Sequence, residues 1–378
     1  MYTKTLDLIC IAVLCTILTL GLWPFHAPGN DVTWLAGRHG LDLGKYGTVI
    51  SSGAFQTANS QGNEPSGSVE LWLQLGRVPD GGCLLSFFTP EEVVGFSLYQ
   101  SRRDLRLRAA IPGDRHRTNT KTLYVMDVFH KEQPRFITVT AGAGGTAVYI
   151  NGVLGTRSPQ LRLPASPFTG RLVLGDSPGQ PHSWTGQLLG FAIYDRELTP
   201  SQLSKHYETW TRSGRPEIHA DEGNVALYLF DEHAGHAVHD HANSGVVLSI
   251  PERYVVVDQI FLEPLWKEFN MSQSYWVSAL KNIVGFIPLG FCFCARLAMA
   301  RHVKRAALTA VLLGALVSLT IEVLQAYLPT RDSGMTDIVT NTLGTWVGVM
   351  CFRSNAAQAL LTMAGCSNNA GIADTRLN

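Results

Sequence analysis

Cysteine is the first scarcity. Of seven in the 378-residue chain, only Cys83 falls between residues 30 and 250, so no disulfide can close within that stretch. No C-x-x-C pair occurs, which removes the usual thiol-redox and zinc spacings. Charge is scarce too. Charged residues make up 16% of the chain and 30 basic side chains balance 30 acidic ones, so a nucleic-acid partner, which calls for a basic excess, is not expected. The long apolar runs hold no histidine, and no serine stands in a nucleophile elbow. The chain therefore lacks the usual equipment of a hydrolase or metalloenzyme.

What is present is apolar in blocks. After the basic start MYTK, Leu6 to Trp23 is about long enough to span a bilayer and is followed by no small-residue cleavage site, so it is expected to be a retained anchor with Asp7 at its edge. Ser274 to Leu297 is a second span. Ala306 to Phe352 then holds two further apolar runs joined by a short polar loop, and it carries Glu322, Gln325, Arg331, Asp332, Asp337 and Asn341. A charge at the centre of a spanning helix costs about 2.5–3.5 kcal/mol, so these residues need partners or a function. Cys10, Cys15, Cys292, Cys294 and Cys351 lie inside the apolar runs, where cysteine acts as a small apolar side chain.

Written as I-E-x-x-Q, L-P-x-R-D and D-I-x-x-N-x-x-G, this polar pattern resembles the VanZ-like family of membrane proteins over Asn282 to Val349. The resemblance implies a link to the cell envelope and to tolerance of glycopeptide antibiotics, teicoplanin in particular. Its matching polar positions are Glu322, Gln325, Arg331, Asp337 and Asn341, to which the family gives no settled roles.

Charge sets the expected topology. Arg296, Arg301, Lys304 and Arg305 make the loop after the second span strongly positive, and positive loops stay cytoplasmic. Both termini are then inside, in a bacterial inner membrane, with residues 30–250 extracytoplasmic. The expected organisation is a first transmembrane helix at 1–24, a β domain at 30–250 and a juxtamembrane stalk at 251–273. Three more helices follow at 274–353, completing a four-helix transmembrane bundle, and a cytoplasmic tail occupies 354–378. Phe261, Trp266, Phe269, Tyr275 and Trp276 look like an interfacial aromatic belt.

Residues 30–250 alternate apolar and polar side chains in short runs between Gly, Pro, Asn and Asp clusters: SVELWLQL at 68–75, CLLSFF at 83–88, GFSLYQ at 95–100, LRLRA at 105–109, RFITVT at 135–140, TAVYINGV at 146–153 and RLVLG at 171–175. Period two over such lengths predicts strands buried on one face, and many in series predict an all-β jelly-roll sandwich. Asn151-Gly152 predicts a two-residue hairpin turn. VYINGV at 148–153 and GQLLGFAIYDRELTPSQL at 186–203 resemble the laminin-G-like, concanavalin A-like lectin and glucanase superfamily. Thr199 is placed to cap a helix from Ser201 to Trp210, with Pro200 at its first turn. NVALYLFDEHAG, from Asn224, looks like the strand that usually begins such domains, so it is expected to return and fill the N-terminal gap.

The superfamily includes sugar binders and calcium sites. Asp231, Glu232, Asp240 and Asn243 are therefore candidate calcium ligands, weighed against a role in satisfying turn backbone. His233, His236, His239 and His241 cluster without fixed ligand geometry. The paired carboxylates of an E-x-D-x-x-E glucanase strand are missing, since Glu70 stands alone on its strand.

In the helical region, Glu322 and Gln325 share a face with Gly314 and Ser318, Asp337 and Asn341 share one with a G-x-x-x-G at Gly344 and Gly348, and Asn282, Gly285 and Leu289 form a third. Counting along the helices puts Lys281, Asn282, Glu322 and Asn341 roughly 10 Å below the outer surface. Lys281 is expected either to pair with Glu322 or Asp337, or to meet the phosphate of a lipid-linked saccharide or phospholipid together with Arg331. The leading expectation is a non-catalytic envelope protein that contacts the bilayer and recognises an envelope glycan or its lipid-linked precursor. A membrane enzyme or flippase using Glu322 and Asp337, and a scaffold for a protein partner, stand as alternatives.

Overall fold

A computed structural model of the chain describes residues 2–56, 66–76, 81–89, 95–110, 120–131, 133–163, 168–179, 181–299, 303 and 305–354. Arg301, Lys304 and the tail after 354 lie outside the described residues. The chain divides into two units, residues 27–259 and residues 1–26 with 260–378.

The first unit is a β-sandwich. Its strands run as β1 (Val32–Trp34), β2 (Leu41–Leu43), β3 (Val49–Ser51), β4 (Gly67–Leu75), β5 (Gly82–Phe88), β6 (Phe96–Ser101), β7 (Asp104–Ala110) and β8 (Thr120–Val125). They continue as β9 (Pro134–Gly142), β10 (Gly145–Ile150), β11 (Val153–Ser158), β12 (Arg171–Leu174) and β13 (Gly186–Tyr194). One sheet is ordered β1-β2-β13-β4-β9-β10-β11 and the other, with two late strands β15 (Ala237–Val238) and β16 (Leu248–Ser249), is ordered β15-β16-β3-β12-β5-β6-β7-β8. Alternation drives the layering: Val69, Leu71 and Leu73 of β4 and Leu105, Leu107 and Ala109 of β7 point into one shared core with Phe87, Phe96 and Phe191. Asn151 and Gly152 both take positive φ, 54° and 77°, and turn β10 back into β11.

A further strand, β14 (Asn224–Tyr228), pairs with Phe191–Tyr194 of β13, on the edge whose first half, Gly186–Leu188, is taken by β2. The late segment thus completes a row begun near the N-terminus. Between them comes helix α2 (Pro200–Ser213), opened by Thr199 in a reciprocal capping box with Gln202 and closed by Gly214 at φ 71°. Its apolar stripe, Leu203 and Trp210, packs with Phe136, Tyr149 and Ala192 on the outer face of the first sheet.

The second unit is helical: α1 (Tyr2–Leu22), a single turn α3 (Leu265–Glu268), α4 (Gln273–Met299), α5 (Ala306–Gln325) and α6 (Met335–Arg353). Three of these are long and apolar enough to cross a membrane: Lys4–Leu22, Gln273–Met299 and Ala306–Gln325. α6 is not among the three, which departs from the expected four spans. The physical reason is composition, since its 19 residues include Asp337, Asn341 and four threonines. It buries Thr336, Asn341, Gly344, Thr345, Gly348 and Val349 against its neighbours. A Cβ on Gly344 would stand 2.2 Å from the Ile283 carbonyl oxygen and one on Gly348 2.1 Å from that of Ile287, so α4 and α6 touch backbone to backbone.

Candidate functional site

Most polar residues of the helical unit separate into groups that meet a particular backbone or side-chain need. The last carbonyls of a helix have no partner inside it. At the end of α1 they are met by Gln325, whose Nε2 donates to Gly21 O at 2.9 Å, and by Arg331, which donates to Trp23 O at 2.7 and 3.0 Å and to Leu20 O at 3.3 Å. Cations at a helix C-terminus also oppose its dipole. Arg331 therefore caps a helix rather than standing free for phosphate.

The start of α6 has the mirror-image need, unpaired N–H groups and a positive end. Glu322 accepts from Gly334 N at 2.9 Å, and Glu268, at the end of α3, accepts from Thr336 N at 2.7 Å. Ser333 Oγ donates to the Glu322 carbonyl at 2.9 Å, and Glu263 and Gly334 bridge the two segments. Glu268 was not singled out in the sequence, where it reads as one charge among interfacial aromatics.

Deeper contacts cross-link helices. Asn282 Nδ2 donates to Asp337 Oδ1 at 2.8 Å and to Thr340 Oγ1 at 3.4 Å, tying α4 to α6. Asn341 Nδ2 donates to Ser318 Oγ at 2.9 Å, tying α6 to α5. Oε1 of Gln325, Oδ1 of Asn341 and Oγ1 of Thr336 are buried with no hydrogen-bond partner. Asp332 is exposed.

Lys281 is the correction. It is exposed and makes no hydrogen bond or ion pair among the described residues, so neither expected pairing, with Glu322 or with Asp337, is present. One residue along a helix is a rotation of about 100°, enough to turn Lys281 away while Asn282 faces α6. Gly285 is likewise exposed, and α4 meets its neighbours through Phe286, Leu289 and Gly290 instead. At the other end of the span Arg296 donates to Asp7, an ion pair that links α4 to α1.

In the sandwich, no group of three or more His, Cys, Asp or Glu suited to a metal occurs among the described residues. Asp240 is occupied by its own turn: Oδ1 accepts from Leu227 N and Ala242 N at 2.7 and 2.9 Å, and Oδ2 from Ser244 N and Oγ, both at 2.7 Å. Asp231 and Glu232 instead contact His241 and His239 at 3.1 and 3.3 Å, and Asn243 is exposed.

Glu70, the one carboxylate on β4, finds its partners on other elements. Glu70 is fully buried beneath α2, accepting from Tyr194 OH at 2.8 Å and meeting His206 Nδ1 at 2.9 Å, while His206 Nε2 meets Glu222 at 3.1 Å. Burial alone would lower the His206 pKa, but the Glu70 hydrogen bond and charge, with Glu222, outweigh it and hold it above the ordinary imidazole value. The network pins α2 to the sheet and lies away from solvent, which suits structure rather than catalysis.

Residues 49–204 match the concanavalin A-like lectin/glucanases superfamily, and residues 226–358 match VanZ/LLP1. The chain carries a VanZ-like region joined to a concanavalin A-like domain. The VanZ/LLP1 match is longer than the stretch that first resembled it, beginning inside the sandwich at β14. No curated protein matches the chain. Among solved structures, a SAP-like pentraxin from Limulus polyphemus is 15% identical, covering 60% of this chain and 94% of its own, with a TM-score of 0.35. The receptor binding domain of botulinum neurotoxin D is 14% identical, covering 60% and 73%, with a TM-score of 0.39.

Proposed function

We propose that this is a multi-pass protein of the bacterial cytoplasmic membrane whose sandwich, wound as a jelly roll, recognises an envelope polysaccharide or its lipid-linked precursor. One observation carries the reading: a lectin-like sandwich is inserted in the chain between two apolar helices, α1 ending at Leu22 and α4 starting at Gln273, each long enough to span. A pair of crossings delivers everything between them to one face, and the positive Arg296 and Arg305 assign the cytoplasm to the other. The VanZ-like region then serves as a four-helix frame, with α6 inserted against α4 and α5, and its family resemblance ties the protein to glycopeptide, especially teicoplanin, tolerance. The test is retention of the purified full-length protein on a panel of immobilised envelope polysaccharides. Binding to at least one is expected, and failure to bind any would remove the reading.

A second reading has its own observation, the three buried oxygens without partners on Gln325, Thr336 and Asn341. The two amide oxygens only accept hydrogen bonds, so they suit the hydroxyl groups of a saccharide-bearing lipid head, received near Asn282, Glu322, Asp332 and Asp337, with the carboxylates taking protons. Glu322→Gln separates this from a purely architectural role, because the amide oxygen can still accept from Gly334 N. Architecture alone predicts normal membrane abundance and normal teicoplanin tolerance in that variant, whereas lipid chemistry predicts normal abundance with the phenotype of a deletion strain.

A further inference from the structure

The outward face of the second sheet carries charge that no described residue answers. Alternation in β7 sends Leu105, Leu107 and Ala109 to the core and Arg106 and Arg108 outward. Cross-strand pairing then sets Arg106 between Tyr99 of β6 and Tyr124 of β8, and Arg108 between Ser97 and Thr122. Each guanidinium lies near a tyrosine ring, Arg106 at 5.9 Å from the centroid of Tyr124 and Arg108 at 5.8 Å from that of Tyr99. Among the described residues neither arginine makes a hydrogen bond or an ion pair, and Nε of Arg106 is buried without a partner. Asp104, the acid on the same strand face, already accepts from Asp127 N at 2.9 Å.

Two like charges two residues apart on one face repel each other, and a buried guanidinium N–H without an acceptor is unfavourable. Such an arrangement is relieved by a planar anion, which a guanidinium binds through two parallel N–H groups. The surroundings indicate what carries the anion. Tyr124 is half exposed and also lines a groove of about 540 Å³ with Met126, Asp127, Arg135, Asn151 and Thr156. A flat aromatic surface beside hydroxyl and amide groups suits a chain of sugar rings, with apolar faces and many hydroxyls, better than a bare polyanion.

Resting on the polysaccharide reading above, we propose that the sandwich binds an acidic polysaccharide on the outward face of β6, β7 and β8, its anionic groups on Arg106 and Arg108 and its rings on Tyr124 leading into the adjoining groove. The experiment uses the purified full-length protein with polygalacturonate as the acidic probe, dextran as the neutral one and polyphosphate as an anion without sugar, alongside the envelope polysaccharide panel. Polygalacturonate is expected to bind about tenfold or more tighter than dextran, and Arg106→Gln with Arg108→Gln to remove about tenfold of that affinity with the unfolding midpoint unchanged. Arg106→Lys with Arg108→Lys should fall between, and Tyr124→Ala should weaken polygalacturonate but not polyphosphate. If a neutral polysaccharide binds as tightly and is insensitive to both arginines, the acidic site is overturned while the polysaccharide reading stands. Equal binding of polyphosphate, unaffected by Tyr124→Ala, overturns the saccharide in favour of a general anion surface. Binding of no polysaccharide at all overturns both.

Discussion

A buried histidine between two carboxylates gives the sandwich a pH signature. Because the folded-state pKa of His206 is raised, the stability it contributes is complete below the unfolded value of about 6.5 and is lost as pH rises through the folded value. Denaturant unfolding followed by tryptophan fluorescence should therefore show the sandwich losing stability as pH rises through the folded-state value. His206→Gln should cost about 3–5 kcal/mol at pH 6, as expected when a buried ion pair loses one member, and should flatten that slope. Little of this was legible beforehand. Glu70 and His206 are separated by 136 positions in the chain, and a lone acid in an alternating strand reads as an outward residue until the helix that covers it is in place. Lys281 fails for a related reason, since proximity in depth does not fix azimuth.

At the scale of elements the reading went further, because periodicity reports directly on which face is buried. The alternating runs became strands, Thr199 and Pro200 opened α2, and the G-x-x-x-G of α6 met α4. Replacing Gly344 or Gly348 with valine should lower the unfolding midpoint of the detergent-solubilised protein and its membrane abundance, with an overpacking cost of about 1–3 kcal/mol. Gly285→Ala, where an added Cβ meets nothing within 4 Å, is the matched control and should leave both unchanged. Arg331→Ala should cost about 1.5–3 kcal/mol through the lost charged hydrogen bonds to α1. Lysine at 331 should restore only part of this, because a point charge cannot fork to the Leu20 and Trp23 carbonyls together. The sequence marked Gln325 and Arg331 as costly but could not say that their partners are backbone carbonyls of the first helix, since any helix end offers the same groups.

For the whole molecule, the proposed topology makes a labelling prediction. In a cysteine-free background, a cysteine replacing the exposed Ser213 should react with a membrane-impermeant maleimide added to intact cells, and one replacing Arg305 should react only after permeabilisation. The reverse pattern would invert the assignment of sides. Composition and charge runs made the division into a β unit and a helical unit readable, while the polar character of α6 hid how far it depends on its neighbours.

The shared edge of β13 has a consequence for biosynthesis. β2 fills one half of that edge early, but the other half waits for residues 224–228. A nascent chain that has emerged only as far as α2 thus exposes a strand edge and the uncovered side of Phe191, both open to pairing with another chain. Closure comes only in the last few dozen residues before α4, so pausing of the ribosome within that interval would be the point of greatest vulnerability to misassembly and quality-control proteolysis.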